Sequence, residues 1–212
     1  MDPRPHPLTR LLGREREVAE AQQLLRHGEA RLLTLSGPGG VGKTRLAIEI
    51  ATTLDSEFSG GSRVVSLAGV DDPDQVAPVV AWALGVTAGS SRSAAGSLVE
   101  FLRDREMLVV LDNFEQVGAA APLLADLLAA GPNLRLLVTS RSVLRLSGEH
   151  HLPIPPLAFP DPDRLPPLAA LATMPAVRLF AERARAATGD FAVTAENAAA
   201  VATVCARLDG LP

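Results

Sequence analysis

Eight consecutive residues, Gly37-Pro38-Gly39-Gly40-Val41-Gly42-Lys43-Thr44, restrict what this chain can fold into more than any other stretch. They carry the G-x-x-x-x-G-K-[ST] spacing, which belongs at the turn from a buried strand into a helix. Both flanks suit that turn: Arg31 to Ser36 reads as a short apolar strand, and Thr44 to Ala51 as an amphipathic helix that begins inside the loop. Glycines let backbone amides curve round an anion, and the start of a helix adds its partial positive charge. The chain holds 20 Lys and Arg residues, of which Lys43 is the one lysine. Its compact ammonium on a thin stem can enter a phosphate loop and reach β and γ oxygens, whereas the wide fork of Arg cannot. The Thr44 hydroxyl suits Mg²⁺. An accidental match at this composition has a chance of roughly one in a thousand, so the loop is read as holding the phosphates of a nucleoside triphosphate.

The rest of the composition narrows the class. With 212 residues and 47% apolar content, the chain can bury a sizeable core, and 3% aromatic content makes that core aliphatic. A net charge of −4 gives no basic footprint, so no direct contact of this segment with nucleic acid is expected. One cysteine, Cys205, cannot close an internal disulfide and is expected to be a buried spacer. No signal peptide and no long apolar run are present, which predicts a cytoplasmic setting without membrane contact.

Alternation of strand and helix patterns predicts an α/β fold with a five-stranded parallel sheet and helices on both faces. After a Pro-rich start, the expected order is a helix over Arg14 to Arg26, the strand before the loop, a strand over Arg63 to Leu67, and helices over Asp74 to Leu84 and around Leu98 to Arg103. A strand Met107 to Leu111, a helix Ala119 to Ala130, a strand Leu134 to Thr139 and a strand His151 to Ile154 follow. Trp82 is placed on the apolar side of its helix, as core. His150 and His151 are read as ordinary strand-end residues, because no partner stands at the spacing of a Zn site. Seven prolines between Pro153 and Pro167 mark a linker, dividing a nucleotide-binding unit 1–152 from a partial helical unit 168–212. The end at Pro212 is expected to be a boundary within a longer protein.

Leu108-Val109-Val110-Leu111-Asp112 is an apolar strand ending in an acid, and it follows the phosphate loop by about one domain half. In that context Asp112 is expected to complete the Mg²⁺ site opposite Thr44. Asn113 stands where a hydrolytic site would carry a second acid, and an amide cannot take a proton from water. Glu115 is the nearest carboxylate able to polarise a water, with a solvated loop residue as its alternative. Thr139-Ser140-Arg141 closes the fourth strand at the carboxyl edge, where ligands of open α/β sheets bind. Arg141 is therefore a candidate sensor of a γ-phosphate, or else a surface Arg paired to an acid.

Four separated stretches together resemble the STAND-class P-loop NTPases, including the NB-ARC domains. Leu11 to Glu17 is similar to their hhGRExE motif, Gly37 to Thr44 to Walker A, Leu108 to Glu115 to Walker B, and Leu134 to Arg141 to the sensor-1 strand; Gly210-Leu211-Pro212 resembles their GxP motif. The wording is similar to that of bacterial LuxR-like and SARP-like regulators. The resemblance implies that the Arg141 strand lies between the strands of the two Walker motifs. It implies that Gly13 and Arg14 approach the adenine or ribose, that Pro212 packs on the base, and that Arg45 joins the loop residues at the nucleotide. It further implies a switch that exchanges ADP for ATP, hydrolyses slowly, and can self-associate when loaded. Its effector and further C-terminal domains would lie outside this segment. Two readings compete: a fast AAA+-type motor, disfavoured by Asn113, and an interaction scaffold with a relic loop, disfavoured by the intact Lys43, Thr44 and Asp112.

Overall fold

The computed structural model describes residues 9–26, 28, 30–87 and 92–212, so the Pro-rich start at 1–8 lies outside the described residues. Helix α1 spans Glu15–Arg26, with Glu15 and Glu17 in its first turn and Arg26 in its last, each placed where the helix dipole favours it. Strand β1 covers Leu32–Ser36 and is buried throughout. Helix α2, Lys43–Leu54, starts directly from the glycine-rich loop. Strand β2 covers Ser62–Ser66. A 3₁₀ turn at Pro73–Gln75, capped by the Asp72 side chain, leads into α3, Val76–Ala83. Helix α4, Ala94–Leu102, is capped by Ser93. Strand β3, Met107–Asp112, is followed by a 3₁₀ segment Phe114–Ala120 and α5, Ala121–Ala130. Strands β4, Leu134–Ser140, and β5, Glu149–Pro153, complete the sheet; α6, Leu168–Thr173, α7, Pro175–Thr188, and α8, Ala198–Arg207, follow.

All five strands pair in parallel, in the order β2-β3-β4-β1-β5. The expected fold is therefore present, with β4 between β1 and β3. Because strand side chains alternate, the two faces are legible in the core. Leu33, Leu35, Leu108, Val110 and Leu137 pack with α1 and α2 on one side. Met107, Val109, Leu111, Leu136 and Val138 pack with α3, α4 and α5 on the other. Since every strand runs the same way, the loop after β1, Asp112 at the end of β3, and Arg141 just past β4 arrive together at one edge.

Two expectations are corrected. Trp82 is 84% exposed rather than core. Val76, Val80 and Ala81 carry the buried face of α3, and Trp82 lies two residues past Val80, about 200° further round the helix. The stretch 153–167 is also more than a tether: Pro153 ends β5, an edge strand whose backbone tolerates it, and Ile154 and Leu157 are buried. Leu157 joins Leu171, Val177, Val201 and Cys205 in a separate small core beneath α6 to α8. Burial in that cluster pushes the Cys205 thiol pKa up. Helix α6 falls in a run that sequence reading left unassigned. Among the described residues, no helix is long and apolar enough to cross a membrane.

The end of the chain is tied back by Leu157 N–H donating to Gly210 O over 2.9 Å. Gly210 has φ +65°, and a Cβ added there would stand 2.2 Å from Leu157 O. Gly210→Ala should therefore introduce strain of about 1–3 kcal/mol. At about 2–4 °C per kcal/mol for a domain of this size, calorimetry should record a clearly lowered Tm. An unchanged Tm would show that the contact is not maintained in solution.

Candidate functional site

The loop after β1 closes on itself through Lys43. Its Nζ donates to Gly37 O at 2.8 Å and to Pro38 O at 2.9 Å, and the residue is 8% exposed. Burial lowers the pKa of this ammonium; Glu115 and Asp112 act against that shift, and Arg141 adds to it. A cation so desolvated, with neutral carbonyls as its hydrogen-bond acceptors, is favourably placed for an anion. Gly37 is needed for the tight approach, because a Cβ there would lie 2.4 Å from Ile154 O.

Next to the lysine, Thr44 Oγ1 donates to Asp112 Oδ1 at 2.7 Å. The same carboxylate oxygen accepts from Thr139 Oγ1 at 2.6 Å, and Thr139 in turn accepts the Asn113 backbone N–H at 2.9 Å. Three elements, the start of α2 and the ends of β3 and β4, thus meet at one carboxylate. Asn113 is left-handed, with φ 64° and ψ 41°. Asn is among the few non-glycine residues that accept this conformation readily, so its presence has a backbone cause besides the chemistry that sequence reading considered.

A cavity of about 530 Å³ opens over these groups, bordered by Gly39, Gly40, Gly42, Lys43 and Thr44 on one side and Asn113, Glu115 and Arg141 on the other. Arg141 borders this cavity, and its Nε pairs with Glu115 Oε1 at 3.2 Å, the acid pairing expected as one of its two alternatives. A second, smaller cavity of about 140 Å³ is bordered by Leu11, Leu12, Arg14, Val41, Arg183 and Pro212. Arg45 borders both cavities while pairing with Glu49 and donating to Thr9 O.

The other residues expected at a nucleotide are placed less directly. Val41 has its side chain in the core, fully buried, and offers only backbone. Arg14 is buried and engaged: it pairs with Glu17 at 2.6 Å and donates to Pro155 O at 2.6 Å and Val41 O at 3.3 Å. It is a clasp between α1, the loop and the segment after β5, and it borders the second cavity. Gly13 packs against Pro175 and Leu157 rather than bordering either cavity. Pro212 does reach the loop, its Cγ standing 3.4 Å from a Cβ placed on Gly42. Sequence reading gave no role to Thr139 or Arg183. Thr139 could have been found from register, since Val138 lies opposite Leu111 and the next pair along is Thr139 and Asp112. Arg183 carries no local signal. His151 Nε2 meets Ser36 Oγ at 2.5 Å, tying β5 to the residue before the loop.

The NB-ARC domain family model matches residues 14–151. An uncharacterized protein of Mycobacterium tuberculosis is 37% identical over 206 residues, covering 97% of this chain and 49% of the relative. A second protein of that organism, named as an HTH-type transcriptional regulator, is 42% identical over 183 residues, covering 86% of this chain and 19% of the relative. The chain thus spans about half the length of the first and a fifth of the second. Among solved structures, the STAND protein with a tetratricopeptide repeat sensor from Pyrococcus horikoshii superposes with a TM-score of 0.52 at 15% identity, over 97% of this chain and 29% of that one. Cdc6p from Pyrobaculum aerophilum gives a TM-score of 0.55 at 19% identity, over 74% of this chain and 48% of that one. At such identities the structural likeness speaks for the fold.

Thr139→Val keeps the shape of the strand and removes both of that hydroxyl's bonds, leaving the Asn113 N–H and one Asp112 contact unmade. Buried groups left this way cost about 1–3 kcal/mol. Thermal denaturation should show that loss, and an unchanged midpoint would mean the hydroxyl is replaceable by solvent.

Proposed function

The chain belongs to the NB-ARC domain family, and from that premise we propose that it is the ATP- and ADP-binding switch module of a signal-transducing regulator, with slow Mg²⁺-dependent hydrolysis. The observation that carries this reading is the 2.7 Å contact of Thr44 Oγ1 with Asp112 Oδ1 beside the buried Lys43 ammonium. A hydroxyl and a carboxylate are the hard oxygen ligands Mg²⁺ prefers, and together with the ammonium they suit a metal–phosphate pair. Thr44 and Asp112 would hold Mg²⁺, whose bound charge neutralises that of phosphate oxygens. Lys43, Arg141 and the amides of Gly39 to Thr44 would hold the phosphates themselves. Arg14 and Pro212 would bound the base and ribose, in the second cavity.

Slow turnover is supported by two features. Asn113 cannot accept a proton, and Glu115, the nearest other carboxylate, is engaged with Arg141. Turnover at about the enzyme median of 10 per second would instead make this a motor-type ATPase. Residues 168–212 would begin the small helical domain that responds to the nucleotide. The relative named as a transcriptional regulator supports a regulatory setting, with effector, sensor and any nucleotide-dependent self-association contributed by the longer protein. The cytoplasm is the compartment this reading requires.

Release and identification of the nucleotide that copurifies with the protein is the direct test, and ADP or ATP is expected. Lys43→Ala should lower ADP affinity in calorimetry by about ten- to a hundredfold, the range for losing a hydrogen bond to a charged group, with the fold intact. Equal affinity in the two proteins would remove the loop from the binding site. Arg141→Ala should weaken binding of a nonhydrolysable ATP analogue more than that of ADP, and equal losses would end its role as a γ-phosphate sensor.

A further inference from the structure

Glu115 and Arg141 face each other across 26 residues of sequence, on the 3₁₀ segment after β3 and just past the end of β4. The two partners are unequal. The Arg141 side chain is 70% exposed and that of Glu115 only 21%, and Glu115 Oε2 is fully shielded with no hydrogen-bond partner. The acid is therefore the sheltered member and the arginine the solvent-exposed one. Glu115 is fixed from below as well: Thr139 holds the Asn113 N–H, Asn113 makes the left-handed turn, and the next residue, Phe114, is fully buried. The bond uses Arg141 Nε, the inner nitrogen of the fork. The outer end points elsewhere, since a methyl placed on Gly39 would stand 3.9 Å from Arg141 Nη2. One side of the guanidinium is thus tethered to a sheltered carboxylate on a well-held turn, while the other faces the phosphate loop.

We propose that Glu115 is a positioning residue for Arg141: its carboxylate anchors Nε so that the outer guanidinium nitrogens stand over the loop at Gly39, ready for a terminal phosphate. The proposal rests on the nucleotide-binding reading above. Exposed ion pairs hold weakly on their own, because two long side chains must be ordered against solvent. A pair with one rigid member orders only the other. An arginine already held in place loses less freedom when phosphate arrives, and this favours binding. Glu115 therefore acts through geometry, and no proton transfer is assigned to it.

The experiment is a set of calorimetric titrations of the full chain with ADP and with a nonhydrolysable ATP analogue, on the parent, Glu115→Ala, Glu115→Gln, Arg141→Ala and the double alanine variant. The readout is the ratio of analogue affinity to ADP affinity. Glu115→Ala should lower that ratio about three- to tenfold, the cost of ordering one rotamer-rich side chain, while ADP affinity stays within twofold. The double variant should be no worse than Arg141→Ala alone, since residues acting as a unit are non-additive. Glu115→Gln should recover at least half of the loss, because its amide oxygen can accept the same N–H. Equal losses for both ligands, or additive losses in the double variant, would overturn the proposal. So would a Gln variant as impaired as the Ala variant, which would make Glu115 act by charge rather than through Nε. If the parent binds neither nucleotide, the underlying reading fails; if it binds both and Glu115→Ala leaves the ratio unchanged, only the positioning role fails.

Discussion

One carboxylate oxygen joins the parts of this molecule. Asp112 Oδ1 accepts from Thr44 at the start of α2 and from Thr139 at the end of β4. A parallel sheet in register sets Thr139 of β4 beside Asp112 of β3, but it leaves open the arrangement of the edge side chains and of the start of α2 against them. Two short hydroxyl-to-carboxylate bonds fix it here, at lengths typical of charge-assisted contacts. Once they are made, the lysine, the left-handed Asn113 and the acid of the following segment have little freedom left.

Much of this was legible from the residues, for a definable reason. Lys43, Thr44 and Asp112 lie in contiguous runs where strand, loop and helix follow each other without interruption, so chemistry and local structure are read from the same few letters. Arg141 was legible as to edge but not as to partner: its pairing with Glu115 depends on how a 3₁₀ segment leaves β3, and no periodicity encodes that. Thr139 was overlooked because a threonine in a strand has an ordinary propensity explanation, and its role appears only when two strands are put in register. Trp82 was misplaced for the opposite reason. Its apolar surroundings along α3 suggested burial, but the helix is short and its buried stripe passes on the other side. The proline-rich stretch is legible in what proline forbids, while its buried residues, Ile154, Leu157 and Pro160, stand among residues that look like a tether.

The C-terminal helices add a second constraint. Their core is separate from the two cores that flank the sheet, yet its members include Leu157, which leaves directly from β5. Arg14 grips Pro155 O and Val41 O together, and the chain end is hydrogen-bonded to Leu157. Movement of these helices would thus be felt, through the segment 154–157, at the hydrogen bonds of Arg14 and at the wall of the smaller cavity. Contacts of that kind can be exchanged for others at small net cost.

The solitary lysine has a consequence of its own. With arginine at every other Lys or Arg position, this segment offers amine-directed chemistry a single side-chain target, and that target is buried beneath its own loop. Acylating reagents and lysine-directed acyl-transferring enzymes alike would find no other side-chain amine. Any covalent mark on a lysine of this segment would also be a mark on the phosphate loop, so tagging the side chain and silencing the site are one event.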